Sequence, residues 1–312
     1  MVDSLSLSTI PAAPPDFRSG FVGIVGRPNV GKSTLMNYLI GQKVAITSPV
    51  AQTTRNRLRG ILTTEEAQII FVDTPGIHKP HHELGKVLVH NARVAIASVD
   101  LVLFVVDGSV PAGRGDQFVA TLLAQQSTPV YLGMNKTDLR SPDEAEAITA
   151  SYQAIADAHQ WPLLEFSAAT GDRLPELQSR LVEGLEPGPY YYPPDLITDQ
   201  PERFIMGELI REQVLYHTRE EVPHSVAIAI EAVEEDENIT RILATVHVER
   251  DSQKGILIGK KGSMMKTIGT GAREQMQKLI TGKVYLEMFV KVQPKWRQSR
   301  TRLAELGYQR EE

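Results

Sequence analysis

The chain has 312 residues, 42% hydrophobic and 23% charged, enough to bury one large core or two ordinary ones. It contains no cysteine, which excludes disulfides, thiolate metal sites and cysteine nucleophiles. The formal net charge of −5 is unevenly spread: from Arg241 to Glu312 fifteen Lys and Arg face seven Asp and Glu, a surplus of +8 that leaves −13 on the rest. Such a basic third is either a solvated face or the seat of a polyanionic partner.

In chain order, residues 1–20 carry Pro11, Pro14, Pro15 and several serines without the basic start and apolar run of a signal peptide, and are expected to form a disordered extension. No stretch has the length of a membrane-spanning helix. The apolar run Phe21–Val25 predicts a buried strand, and Thr34–Ile40 a helix. Strand patterns follow at Arg57–Leu62, Gln68–Val72, Leu101–Val106, Pro129–Met134 and Leu163–Phe166. Helical patterns lie at Glu83–Ser98, Asp116–Gln125, Asp143–His159 and Leu174–Gly184. This alternation predicts an α/β domain over residues 21–186, with a mostly parallel sheet and helices on both faces. The proline-rich stretch at 187–201 reads as a linker. An α+β unit follows over 202–297: a helix at Arg203–His217, a hairpin of Ser225–Val233 and Thr240–Val248, helices at Gly255–Ile258, Ser263–Ile268 and Ala272–Ile280, and a strand at Val284–Val292. Residues 298–312 predict a C-terminal helix and tail, with the helix at Gln298–Leu306.

Between the first strand and helix lies Gly26-Arg27-Pro28-Asn29-Val30-Gly31-Lys32-Ser33, which fits the P-loop spacing. Glycines let backbone N–H groups close around phosphate oxygens, and the helix starting at Lys32-Ser33-Thr34 directs its positive end to the same place. Lys32 is the expected phosphate ligand and Ser33 the expected Mg²⁺ ligand. Asp73-Thr74-Pro75-Gly76 ends an apolar strand, so Asp73 can hold the Mg²⁺ shell and the Gly76 N–H can meet a γ-phosphate. Asn135-Lys136-Thr137-Asp138 follows another strand. The Asp138 carboxylate suits the paired N1–H and N2 donors of guanine, a pair adenine lacks. Ser167-Ala168-Ala169 follows the next strand, where its N–H groups could meet guanine O6. The ordered set predicts a P-loop GTPase domain binding GTP, GDP and Mg²⁺.

These motifs, with Ala51-Gln52-Thr53-Thr54-Arg55 and Asp73–Ile77, resemble the translation-factor-related GTPases and, within them, the Era family. The resemblance implies that Gln52–Asn56 is switch I and that Asp73–Ile77 begins switch II. It also implies that Thr54 completes the Mg²⁺ shell in the GTP state, with Thr53 the other choice, and that Lys32, Thr54 and Gly76 serve hydrolysis. Ras-like GTPases carry a water-positioning glutamine where this chain has Ile77. Ile77 cannot polarise water, so slow intrinsic turnover is expected. A backbone-held water, a K⁺ ion beside Asn29 or a partner would compensate; the other reading of Asn29 is that it holds the loop's shape. His78, His81 and His82 follow Ile77 without carboxylate or cysteine spacing, and are read as switch-loop residues rather than metal ligands.

In the basic third, Gly255-Ile256-Leu257-Ile258-Gly259-Lys260-Lys261-Gly262 resembles the core of a KH domain of the bacterial, type II order. The Gly-x-x-Gly turn brings backbone close to a nucleic-acid backbone, Lys260 and Lys261 face phosphates, and Ile256, Leu257 and Ile258 would floor a groove for single-stranded bases. A GTPase domain followed by this unit matches the Era family's order. The family likeness implies binding near the 3′ end of 16S rRNA and a role in assembly of 30S ribosomal subunit precursors. It further implies a cytoplasmic monomer with peripheral contact at the inner membrane. Two other outputs fit the same motifs: a GTPase tied to tRNA modification or to stress and cell-cycle signalling, and an RNA chaperone in which hydrolysis serves only release.

Overall fold

The computed structural model describes residues 10–48, 50, 53–55, 58–77 and 83–308. Gln52 and Asn56, the three histidines His78, His81 and His82, and the first nine residues of the expected extension lie outside the described residues. By its contacts the chain divides into two compact units. The first comprises Met1–Val44, Arg57–Ile77 and Ala92–Asp199, the second Ala45–Asn56, His78–Asn91 and Gln200–Glu312. The units therefore do not follow chain order, because two segments from the P-loop half count with the second.

The first unit is built on β1 (Arg18–Val25), α1 (Lys32–Ile40), β2 (Leu58–Thr63) and β3 (Ala67–Asp73). After them come α2 (Glu83–Ala97), of which only the part from Ala92 counts with this unit, β4 (Leu101–Asp107), α3 (Arg114–Leu123), β5 (Val130–Asn135), α4 (Ala145–His159), β6 (Leu163–Glu165) and α5 (Leu174–Glu183). The sheet runs β2-β3-β1-β4-β5-β6, parallel throughout except for the antiparallel β2–β3 pair. Strands β3 and β4 are apolar runs buried along nearly their whole length, as parallel strands covered on their faces require. Val102, Phe104 and Leu132 of the sheet pack with Ala95, Val119, Leu123, Ile148 and Tyr152 of the helices. The register decides where the site falls. Ile24 pairs with Asp73 on one side and Leu103 on the other, and Asp107 pairs with Asn135. The carboxyl ends of these strands thus finish level, and the loops leaving them share one rim of the sheet.

Strand β1 begins at Arg18, inside the stretch expected to be disordered. Phe17 is buried against Tyr190, with ring centres 4.3 Å apart, and Arg18 to Ile24 pair with Ala67 to Asp73. The proline-rich stretch is likewise docked in the first unit as far as Asp199. Gln68 accepts the N–H groups of Tyr191 and Tyr192 at 2.8 and 3.0 Å and returns a bond to the Tyr192 carbonyl at 2.9 Å. Ser19 donates to the Pro189 carbonyl at 2.6 Å, and Arg59 pairs with Asp199 at 2.6 Å.

In the second unit, α6 (Glu202–His217) and the one-turn α7 (Val222–Ser225) precede the hairpin of β7 (Ala227–Asp236) and β8 (Ile239–Val248). Then come α8 (Asp251–Ile258), α9 (Ser263–Met276), β9 (Lys283–Val292) and α10 (Arg300–Glu305). The sheet order is β7-β8-β9, with β8 and β9 parallel. Alternation in β8 sends Ile242, Ala244, Val246 and Val248 into a core with Ile210 and Val214 of α6, Leu257 of α8, and Ile268, Ala272 and Met276 of α9. Where the sequence suggested two helices, Ser263–Ile268 and Ala272–Ile280, the structure has the single helix α9. The glycines between the two expected ranges are contact points: a Cβ at Gly271 would lie 2.2 Å from Gln213 Oε1, and one at Gly269 2.9 Å from the Met288 methyl carbon. Both let neighbours approach the helix axis.

The described residues of the two transferred segments pack within this unit. Ile46 joins the core, and the Thr47 N–H donates to Glu212 at 2.9 Å. The buried Arg55 guanidinium donates to the carbonyls of Val226 at 2.5 Å and Pro223 at 2.9 Å, and Arg211 donates to the Thr53 carbonyl. Leu84, Val87 and Leu88 pack with Trp296, Leu303 and Tyr308. Trp296 is fully buried, stacks on Tyr308 and donates its indole N–H to the Ser225 carbonyl at 2.9 Å. Trp296→Ala should therefore cost about 3–5 kcal/mol in the unfolding of this unit. Denaturant titration followed by circular dichroism checks this; a loss below about 1 kcal/mol would contradict the packing role.

Candidate nucleotide and nucleic-acid sites

The loop from Gly26 to Gly31 leaves β1 and enters α1 with Lys32, Ser33 and Thr34 in its first turn. Its path depends on missing side chains. A Cβ on Gly26 would lie 2.2 Å from the Val105 carbonyl oxygen, and one on Gly31 2.3 Å from the Asn135 amide nitrogen. Gly31 also takes φ 94°, in the left-handed region. Asn29 adopts φ 64°, which asparagine tolerates better than most residues. Arg27 is tied to the buried Asp116 of α3 at 2.7 Å, and the second Asp116 oxygen accepts the Gly113 N–H at 2.9 Å.

Lys32 is buried, and its ammonium donates to the carbonyls of Arg27 at 3.0 Å and Gly26 at 3.4 Å. Burial pulls its pKa below the usual lysine range, with the nearby Asp73 opposing. Ser33 donates from its hydroxyl to Asp73 Oδ2 at 2.7 Å, so two hard oxygen donors converge from different elements. Beyond Asp73 the chain turns past the P-loop. Thr74 donates to the Ile24 carbonyl at 2.9 Å, and a Cβ on Gly76 would lie 2.7 Å from the Pro28 nitrogen. Ile77 donates its N–H to the Gly26 carbonyl at 3.2 Å. Its side chain is 2% exposed and belongs to the sheet core, so it offers no group to a reacting water.

The third and fourth motifs are braced to the first. Asn135 donates from its amide to the Val30 carbonyl at 2.8 Å and accepts the Ala168 N–H at 2.9 Å. The Ala168 N–H, read from sequence as open toward a base, is thus used to hold the turn. Ser167 donates to Asp138 Oδ1 at 2.5 Å, which orients the exposed Asp138 carboxylate. Lys136 takes φ 65° and pairs with Asp107 at 2.7 Å. Burial raises the Asp107 pKa, but bonds from Lys136 and Ser109 outweigh it and leave the group below the usual range. Thr137 and Asp138 lie in the single turn Thr137–Leu139. Sequence reading missed Asp107 and Asp116. Asp107 is the last residue of β4, a position that the strand pattern could have marked, whereas Asp116 lies in the first turn of α3. The first unit therefore gathers Gly26 to Thr34, Asp73 to Ile77, Asn135 to Asp138 and Ser167 to Ala169. Thr54 is counted with the second unit.

In the second unit, Gly259 (φ 70°) and Gly262 (φ 80°) flank Lys260 and Lys261 between α8 and α9, and Lys261 also has positive φ at 53°. A Cβ on Gly259 would lie 2.7 Å from Met264, whereas Gly255 and Gly262 face open space. Beside the turn runs a groove of about 710 Å³, walled by Lys254 and Ile258 of α8, Lys266 and Arg273 of α9, and β9. Of the three apolar residues expected to floor it, Leu257 is instead in the core and Ile256 is exposed away from the groove's lining. Helical geometry explains the split, because three consecutive residues face three directions. Lys266 and Arg273 were missed; their spacing of seven along a helix was the available signal.

The comparisons agree with this architecture. A family model described as a 50S ribosome-binding GTPase matches residues 21–136, and a KH-domain model matches residues 221–297. The chain is 74% identical to GTPase Era of Nostoc sp. (strain PCC 7120 / SAG 25.82 / UTEX 2576), over 97% of this chain and 94% of that one. Its fold matches the crystal structure of Era in complex with MgGDPNP and nucleotides 1506–1542 of 16S ribosomal RNA, with a TM-score of 0.90 at 37% identity, covering 94% of this chain and 99% of that one. It matches a variant of Aquifex aeolicus Era bound to GDP·AlF4⁻ with a TM-score of 0.89 at 37% identity, covering 94% and 100%. With the P-loop, the guanine-reading motifs and the Gly-x-x-Gly turn all in place, the chain belongs to the Era family of GTPases.

Proposed function

We propose that this chain is a GTP-hydrolysing switch whose second unit binds single-stranded RNA near the 3′ end of 16S rRNA, in the assembly of 30S subunit precursors. The observation that carries the reading is the joining in one chain of a braced guanine-nucleotide site with a basic groove beside a Gly-x-x-Gly turn. The RNA identity comes from the related complex, whose protein holds nucleotides 1506–1542. On the same family grounds the protein acts as a cytoplasmic monomer with peripheral contact at the inner membrane. Crosslinking in cells followed by RNA sequencing tests the RNA assignment.

In this reading the P-loop N–H groups and Lys32 take the phosphates, and the Asp138 carboxylate takes the guanine edge. Base O6 recognition falls to the Ala169 N–H, since the Ala168 N–H is used internally. The hard oxygens of Ser33 and Asp73, 2.7 Å apart beside a cradle that a Cβ would fill, fit Mg²⁺. When bound, the ion supplies positive charge against the phosphate oxygens. Thr54 is the proposed ligand added in the GTP state. The Gly76 N–H is proposed to meet the γ-phosphate. Because the Ile77 side chain is in the core, the attacking water must be placed by backbone, by K⁺ beside Asn29 or by a partner. The left-handed φ of Asn29 supports its loop-shaping role as well.

Three outcomes test these assignments. Asp138→Asn should weaken GTP and favour xanthosine triphosphate, because the amide no longer accepts from the N2 amine; calorimetric titration with both nucleotides reads this, and unchanged GTP affinity would reject the base assignment. Ser33→Ala and Asp73→Ala should each lower Mg²⁺-dependent hydrolysis by at least tenfold, about 1.4 kcal/mol or more of transition-state stabilisation, with the second unit still folded by circular dichroism. Replacing both Lys260 and Lys261 with Asp should reduce RNA affinity by orders of magnitude and flatten its salt dependence by one to two phosphate contacts, roughly. GTPase activity without RNA should persist in that variant. Retained RNA affinity would remove the turn from the RNA site.

A further inference from the structure

Two aromatic side chains stand out from the sheet of the second unit. Tyr285 and Phe289 lie four residues apart on β9, hence on one face of the strand, and are 50% and 54% exposed. Strand β9 ends the order β7-β8-β9, and both rings line the groove beside the Gly-x-x-Gly turn. The core does not need them, because alternation packs Val284, Leu286, Met288 and Val290 against it instead, the last three also reaching the groove. Rings of this size left half in water, inside a concave surface, are placed for a partner.

Charge on the two walls of the groove indicates how that partner lies. The helical wall carries Lys254, Lys266 and Arg273, while the strand wall carries Glu287 between the two rings. A polyanionic backbone is drawn to the helices and repelled by Glu287, so its bases are presented to the strand. The Arg241 guanidinium lies 6.0 Å from the centre of the Tyr285 ring and directly across the ladder from it. That distance is at the outer limit of a cation–π contact with the ring.

We propose that the groove binds single-stranded RNA by stacking one base on Phe289 and another on Tyr285, a contact additional to the backbone clamp of the Gly-x-x-Gly turn. The proposal rests on the RNA-binding reading above and names the recognition chemistry of that site. Four strand residues span about 13 Å, whereas stacked bases along one strand rise about 3.4 Å each. The rings therefore take bases that are not stacked neighbours, and the bound strand is splayed. Stacking is tolerant of sequence, so these contacts add affinity to whatever the rest of the groove selects.

The test uses the full chain and an RNA spanning nucleotides 1506–1542, titrated at two salt concentrations. Phe289→Ala and Tyr285→Ala should each weaken binding by roughly 5- to 150-fold, with an unchanged salt slope because no phosphate contact is removed. Phe289→Trp should keep the affinity. Phe289→Leu, apolar but without a π-face, should lose it nearly as far as Ala. A 2-aminopurine label in the RNA should be quenched by wild type and Phe289→Trp, and not by Phe289→Leu. Phe289→Leu binding as tightly as wild type would overturn stacking, as would both Ala variants binding normally. In either case, loss of binding in the Lys260 and Lys261 double variant would leave the RNA reading intact. Wild-type protein that binds no RNA overturns both.

Discussion

The side-chain amide of Asn135 is the constraint on which the nucleotide site depends. Its nitrogen donates to the P-loop at Val30, and its oxygen accepts from the turn after β6 at Ala168. Three loops that leave different strands are thereby fixed to one planar group. Asn135 ends β5, level with Asp107 at the end of β4. A residue at Gly31 with any side chain would meet the same amide at 2.3 Å. Sheet register, the missing side chain and the amide therefore act together: none can change while the others stay.

Much of this was legible in the sequence. The P-loop, Asp73–Ile77, Asn135–Asp138 and Ser167–Ala169 are contiguous motifs whose chemistry depends on local spacing, and each sits at the end of a strand that its apolar run announces. The Gly-x-x-Gly turn was legible for the same reason. What escaped was set by partners far along the chain. Whether Gly269 and Gly271 end a helix or admit a neighbour depends on Met288 and Gln213. Whether the Ala168 N–H faces a ligand depends on Asn135. Phe17 and the tyrosines at 190–192 look like loose flanks until they are paired with one another and with Gln68. No local pattern contains those pairings.

Residues 45–56 and 78–91 bear on the same lesson. In sequence both fall within the P-loop half: the first contains Gln52–Asn56, expected to be switch I, and the second runs from the histidines after Ile77 into the helix expected at Glu83–Ser98. Their described residues nevertheless invest their side chains in the second unit: Arg55 in the carbonyls of Pro223 and Val226, Leu84 and Leu88 in the pocket of Trp296. A buried guanidinium that satisfies backbone acceptors is costly to withdraw. The described residues of these two segments thus belong to the unit that carries the basic groove, while the P-loop and the guanine motifs stay in the first.

The docked proline-rich strap has a consequence for solubility. Strand β2 lies at one rim of the six-stranded sheet, and a bare rim strand is a template for pairing with another chain. Here Ile61 donates its N–H to the Ile197 carbonyl at 2.8 Å, and the Arg59 carbonyl accepts from Thr198 at 2.6 Å. The rim is closed by a segment that includes Pro193 and Pro194, residues with no N–H to offer a further strand. The same stretch that leads from one unit to the next thereby guards the sheet against edge-to-edge aggregation.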